Sequence, residues 1–504
     1  MTSTTAAPAP ESGPIAVFRN PAFLRLWLSQ AATQIGGNMV LYGLTVIVVS
    51  STQSNTAVSL LILSFLVPAV LFSAVAGVYV DRIDRRLILI ATNVLRGGMF
   101  VALYLAGTNF ALILLLNVSI STITVFFAPA EAAMIPVLVP RGQLMAANGI
   151  FTLTLNAAFA LGFALLGPLV VNVANPEAVI LVVAALYFLA AAFCSTLPAS
   201  PPPAGHLHES RLAVGEAERA VGSTLTQLRD GLRFISTNRA IGWSLLYLGI
   251  AASLVGVLGV LGPDFAQSAL GLDAKDFAVV VLPLGFGIVT GILLLNAYGR
   301  YLPRRRVIEG GLIVLGVLLA ALSAAGPISR LLQRADAPGG LDLTGVTSLL
   351  AIVVVIAFFA GIAYGLVAIP SQTQLQEDLP ADVRGRVFGV LNMLVSVASF
   401  LPIIIVGPIS DLVGTTTVIF VVALGVLFAG LSSLLTRGPL LASESRPAAD
   451  PHAVDPIAAA LGADRPTWSD GADIGVASTA ELIVTPGTPT GLERAGPSDP
   501  TDRE

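Results

Sequence analysis

The segment Gly77-Val-Tyr-Val-Asp81-Arg82-Ile-Asp84-Arg85-Arg86 packs two acids and three arginines into six positions, in a chain that is only 11% charged and 55% hydrophobic. It separates two long apolar runs. An aspartate there can accept hydrogen bonds at a helix N-terminus, and guanidinium groups can bridge to acids elsewhere, so the segment reads as a charged hinge at a membrane surface. A second group is neutral: Gln30, Gln34, Asn38 and Tyr42 recur every four residues and share one helical face, as do Asn148, Thr152 and Asn156. Polar side chains in a bilayer turn toward protein or water. They either line an internal cavity, the reading adopted for Gln34, Asn38, Tyr42 and Asn156, or bond neighbouring helices at about 1 kcal/mol per contact. Arg96 lies about 14 Å along a helix from the hinge. It either contacts substrate in that cavity by meeting an anionic group, or snorkels and binds backbone carbonyls.

These residues need helices to hold them. A membrane helix takes ~20 apolar residues, because no water satisfies the backbone inside the hydrocarbon. Runs of that kind fall near 22–50, 56–80, 87–107, 110–128, 147–171, 177–197, 241–263, 276–298, 306–326, 346–368, 386–409 and 415–436. The expected fold is an all-α integral membrane protein of about twelve transmembrane helices. Alternate loops carry nearly all the positive charge, and the other side has only Lys275, Arg330 and Arg334. Arginine-rich loops stay in the cytoplasm, which puts both termini there in a cell membrane and agrees with an even number of spans. The first 17 residues lack the basic start of a secretory signal peptide, so the first span should remain uncleaved.

Composition also divides the chain. Residues 1–17 are polar and read as disordered; 18–197 and 241–437 each hold six spans, and 198–240 form a cytoplasmic linker. Within it, Leu225, Leu228, Leu232 and Ile235 recur at helical spacing, as in an amphipathic helix lying at the lipid interface or packing on the bundle. From 438 to 504 apolar runs stop and Pro, Ala, Asp and Thr dominate, as in a disordered tail. That tail has eleven acids against four arginines, so the chain's net charge of −4 belongs to it and the rest is net positive. Enzymatic chemistry has little to build on. The three histidines sit in the linker and tail, the lone Cys194 excludes an internal disulfide, and no phosphate-binding Gly-x-x-x-x-Gly-Lys loop occurs. No metal, cofactor or nucleic-acid partner is expected.

The two halves repeat one another. Pro140, Gly149, Gly167 and Pro168 recur as Pro380, Gly389, Gly407 and Pro408, each 240 positions later. Duplicated bundles suit alternating access around a site near the midplane. With twelve spans, this repeat and the charged turn after the second span, residues 18–437 resemble the major facilitator superfamily, whose Gly-x-x-x-Asp-Arg-x-x-Arg-Arg signature matches Gly77, Asp81, Arg82, Arg85 and Arg86. Phe127-Ala-Pro129, Ile135-Pro136, Gly262-Pro263 and Arg384-Gly-Arg-Val-Phe388 look like the efflux branch that includes macrolide and enterobactin exporters. Gly162-x-x-x-x-Gly167-Pro168 partly matches an antiporter motif, with Val170-Val171 in place of its closing glycines.

The resemblance implies a secondary-active exporter of amphipathic or lipophilic molecules, with Gly77, Asp81, Arg82, Arg85 and Arg86 as a conformational latch toward Glu377, Asp378 and Asp382. It also implies proton coupling. No acid lies near the middle of a predicted span, which leaves Glu131 and Asp264, at span ends, as the coupling candidates beside a simpler reading as caps. A lipid or lysophospholipid transporter and a non-transporting scaffold or sensor are the alternatives.

Overall fold

A computed structural model of the chain describes residues 14–80, 82–201, 239–328, 348–377 and 400–437. The linker helix proposed at 225–235 and the tail from 438 lie outside the described residues. Among the described residues, eleven helices are long and apolar enough to cross a membrane. They are α1 (Pro21–Thr52), α2 (Asn55–Val80), α3 (Arg85–Ala106), α4 (Phe110–Leu138), α5 (144–173), α6 (Pro176–Ser195), α7 (Arg239–Ser268), α8 (Ala278–Tyr298), α9 (Arg304–Ser323), α10 (Leu349–Glu377) and α12 (Thr415–Thr436). The described part of a further helix, α11, spans Phe400–Val413, and the predicted start of that span falls among residues outside the description.

Asparagine and aspartate punctuate these runs. Asn20, Asp84, Asn109 and Asn175 each accept a first-turn backbone N–H, starting α1, α3, α4 and α6. Gly414, at φ 87°, supplies the left-handed residue between α11 and α12 that a side chain would strain. Pairing recurs between the halves: α3 packs on α4 and α6 as α9 packs on α10 and α12, and α2 packs on α4 as α8 packs on α10. Their polar connections alternate between an arginine-rich end and a far end.

Two boundaries differ from expectation. Pro14–Phe18 forms a short helix, not a disordered lead, because Val17 is fully buried and Phe18 stacks edge-on against Phe23 and Trp27. The fourth helix runs past 128 to Leu138 through Pro129 and Pro136. A membrane helix tolerates proline when its neighbours resatisfy the freed backbone groups.

Candidate functional site

The extension of α4 changes the standing of Glu131. It lies inside a helix, 7% exposed, and its Oε1 has no hydrogen-bond partner. Facing it electrostatically is Arg96 of α3, 2% exposed. Arg96 Nε donates to the carbonyl of Thr92 (3.2 Å) and Nη2 to Asn93 Oδ1 (2.6 Å). Its guanidinium lies 4.4 Å from the Phe127 ring of α4 and 4.6 Å from the Tyr187 ring of α6. Asn93 Nδ2 in turn reaches Cys194 Sγ at 3.7 Å, and that thiol contacts Ser29 Oγ of α1 at 3.1 Å. Gln30, also on α1, is 2% exposed with an unpartnered Oε1. Four helices thus enclose one cation, one carboxyl group and neutral polar groups. Burying an arginine costs several kcal/mol unless charge and hydrogen bonds compensate it. Two ring faces contribute ~2 kcal/mol each in such a dry site. Glu131 supplies the opposite charge without a direct ion pair.

The stripe on α1 divides in two. Gln34 and Asn38 are half-buried, and Asn38 Nδ2 donates to the Gln34 carbonyl at 2.8 Å. Tyr42, expected in the cavity, is fully buried instead. Its hydroxyl donates to the backbone carbonyl of Lys275, and its ring stacks on Phe277 at 4.5 Å. A large ring at the far end of α1 fills the space between the halves better than it could line an aqueous pathway. The side chain of Asn156 lies outside the described residues.

Gly162 and Gly167 explain how α5 comes so near. A Cβ on Gly162 would stand 2.5 Å from the Ile35 carbonyl and 2.8 Å from Asn38 Cβ, and one on Gly167 2.9 Å from Tyr42 Cβ. Around Gly162 and up to Gly167, α5 widens to a π-helix over Phe159–Leu166. Pro168 is buried beside Gly167, Gly407 is buried against Asn55 and Ser59 of α2, and Pro408 is exposed.

At the arginine-rich end, Asp84 Oδ1 accepts from Arg86 N (2.8 Å) and Ser200 N (3.3 Å). Arg85 Nη1 donates to Ser200 Oγ at 3.3 Å, and Arg86 Nη2 donates to the Ser195 carbonyl. Arg85 and Arg86 therefore bind the end of α6 in their own half here, whereas the expected partners were acids of the other half. Asp81 and the side chains of Glu377, Asp378 and Asp382 lie outside the described residues. Arg82 is described, and a Cβ on Gly77 would meet nothing within 4 Å.

The matching end of α9 holds a network that the sequence reading passed over. Arg305 Nε and Glu309 Oε1 form an ion pair at 2.7 Å, with side chains 2% and 1% exposed. Ser433 Oγ of α12 donates to the same oxygen at 2.8 Å and lies 2.5 Å from the Tyr247 hydroxyl, to which Arg437 donates at 2.8 Å. The signal was present as an arginine and a glutamate four apart at the start of an apolar run.

At the far end, Asp264 of α7 accepts from Asn55 Nδ2 of α2 at 3.1 Å and from Thr415 Oγ1 of α12. Of the two coupling candidates, Asp264 is thus tied into the contact between halves, and Glu131 is enclosed beside a cation.

Comparison with known proteins agrees with this fold. The chain is 26% identical to the uncharacterized MFS-type transporter YfiS of Bacillus subtilis, covering 84% of this chain and 94% of that one. It is 21% identical to the multidrug efflux pump Tap of Mycolicibacterium fortuitum (82% and 95% covered) and 22% identical to macrolide efflux protein A of Streptococcus pyogenes (78% and 90%). Its fold matches a solved bacterial homolog of the human lysosomal transporter Spinster in an inward-facing, occupied conformation, with TM-score 0.59 at 15% identity and 85% and 98% coverage. The Major Facilitator Superfamily profile matches residues 26–403, and with duplicated helix pairing, a signature turn and transporters as its relatives, this chain belongs to that superfamily of membrane transporters rather than to any class of enzyme.

Proposed function

We propose that the chain is a secondary-active exporter that moves amphipathic or lipophilic small molecules by alternating access, coupled to protons through Glu131. The observation that carries the coupling is a buried carboxyl group with an unpartnered oxygen beside a fully buried arginine it does not touch. At contact, about 4 Å, two unit charges attract by ~4 kcal/mol at an effective dielectric of ~20, and without contact by less. A proton driven by ~100 mV carries about 2.3 kcal/mol. The two quantities are of one order, so a proton can compete with Arg96 for Glu131 and leave again.

The efflux assignment rests on likeness to Tap and macrolide efflux protein A over most of the chain, with Gln34 and Asn38 as the neutral polar contacts of an otherwise apolar pathway. The arginine-rich end is placed in the cytoplasm with both termini. Glu131 is seven residues from the end of α4 on that side, roughly 10 Å along the helix. Asp81 and its arginines serve as the latch there. The lipid alternative shares the apolar pathway and offered Arg96 as a contact for a phosphate, and Arg96 is sealed by Phe127, Tyr187 and Asn93.

Efflux of lipophilic dyes and antibiotics from cells tests the reading, using wild type, Asp81→Asn and a chain lacking 438–504, with and without a protonophore. Export that is lost in Asp81→Asn and in protonophore, and kept without the tail, is the expected result. Well-inserted protein whose cells match empty controls for every compound would overturn it.

A further inference from the structure

Among the described residues, the hydrogen bonds that join the halves cluster at the far end, and one carboxylate holds most of them. Asp411, near the end of α11, accepts at Oδ1 from Asn55 N (2.7 Å) and at Oδ2 from Thr56 N (3.0 Å), Thr56 Oγ1 (2.6 Å) and Ser54 Oγ (2.7 Å). Those donors are the first turn of α2, in the other half. A helix start leaves its first N–H groups unsatisfied and carries partial positive charge, so an aspartate of another helix fits it in shape and in sign. Ser54 cannot serve both N–H groups that Asp411 takes, because its own Oγ already accepts from Ala57 N at 3.3 Å.

The approach is made possible by Gly407, one turn earlier on α11. A Cβ there would stand 2.6 Å from the Asn55 carbonyl and closer still to Ser59 Oγ. Behind it, Asn55 Nδ2 bonds Asp264 Oδ2 and Thr415 Oγ1 (3.3 Å), extending the polar seam across α2, α7 and α12. Another contact between halves, α5 against α8, runs over Phe159–Leu166, a wholly apolar stretch of α5.

We infer that Asp411 is the latch of the outer gate: by capping the first turn of α2 it holds the far end shut, and the halves part there only when those four hydrogen bonds break. This rests on the alternating-access reading above and adds a residue to it. Sequence order gives the latch a counterpart, since Asp81 follows the opposite end of the same helix. The two aspartates would then bias the protein in opposite directions.

The test is a distance measurement between spin labels at Leu105 and Leu350, exposed at the far ends of α3 and α10, in full-length protein with the buried Cys194 replaced by alanine. Asp411→Asn should raise the long-distance population about fivefold to tenfold over wild type, and Asp81→Asn should lower it. If Asp411→Asn does not fold, Ser54→Ala with Thr56→Val removes two donors while keeping the carboxylate, and should move the same population in the same direction. An Asp411→Asn distribution like wild type, with Asp81→Asn still shifting it, would overturn the latch and leave alternating access standing. Failure of every variant to shift it, with no second population at any substrate concentration, would overturn both.

Discussion

Each half of the bundle buries an arginine and a glutamate, and the halves join them differently. In the second, Arg305 and Glu309 meet at 2.7 Å on one helix and share Ser433 with the last helix. In the first, Arg96 and Glu131 sit on different helices, and Arg96 is satisfied by a backbone carbonyl, Asn93 and two aromatic faces. A direct buried pair is a fixture, because separating it leaves a charge in a dry interior. A cation held by neutral groups leaves its acid free to exchange a proton. The difference teaches that burial alone does not mark a coupling residue; what matters is whether the acid is already committed.

The comparison can be broken in several ways. Arg305→Met leaves Glu309 with Ser433 and the half-exposed Arg306, whose Nη1 is 3.4 Å from Oε2, and should destabilise the protein by about 1.5–3 kcal/mol, read as a lower unfolding midpoint in detergent. Adding Glu309→Leu should recover most of that loss; no recovery would mean the pair is not the cause. A double-mutant cycle sharpens the contrast: coupling above roughly 2 kcal/mol is expected for Arg305 with Glu309, and below about 1 kcal/mol for Arg96 with Glu131. Equal values would erase the distinction. Gly167→Val pushes a side chain into Tyr42 and should cost about 1–3 kcal/mol, with Gly98→Val, which meets nothing within 4 Å, costing less.

Much of this was legible in the sequence, for physical reasons. Apolar runs long enough to span a bilayer must be helices, and arginine asymmetry and the 240-position repeat order them. Gly162 and Gly167 were legible as members of a motif, and Gly167 of the repeat as well, but the approach of α5 to Ile35, Asn38 and Tyr42 that they allow is a tertiary contact. Glu131 was obscured by Pro129 and Pro136, which end a helix in water and need not in a membrane. Tyr42 shared a face with Gln34 and Asn38, and periodicity cannot tell a cavity wall from a seam between halves. Asp411 caps Asn55 from 356 positions away, a contact that no local pattern encodes.

The most direct test of the coupling claim is ethidium export from proteoliposomes under an imposed pH gradient, with Glu131→Gln and Glu309→Gln beside wild type. Glu131→Gln should lose gradient-driven export by at least about tenfold while still exchanging ethidium at equal pH, and Glu309→Gln should keep its dependence on the gradient. Gradient-driven export by Glu131→Gln at the wild-type rate would contradict the account.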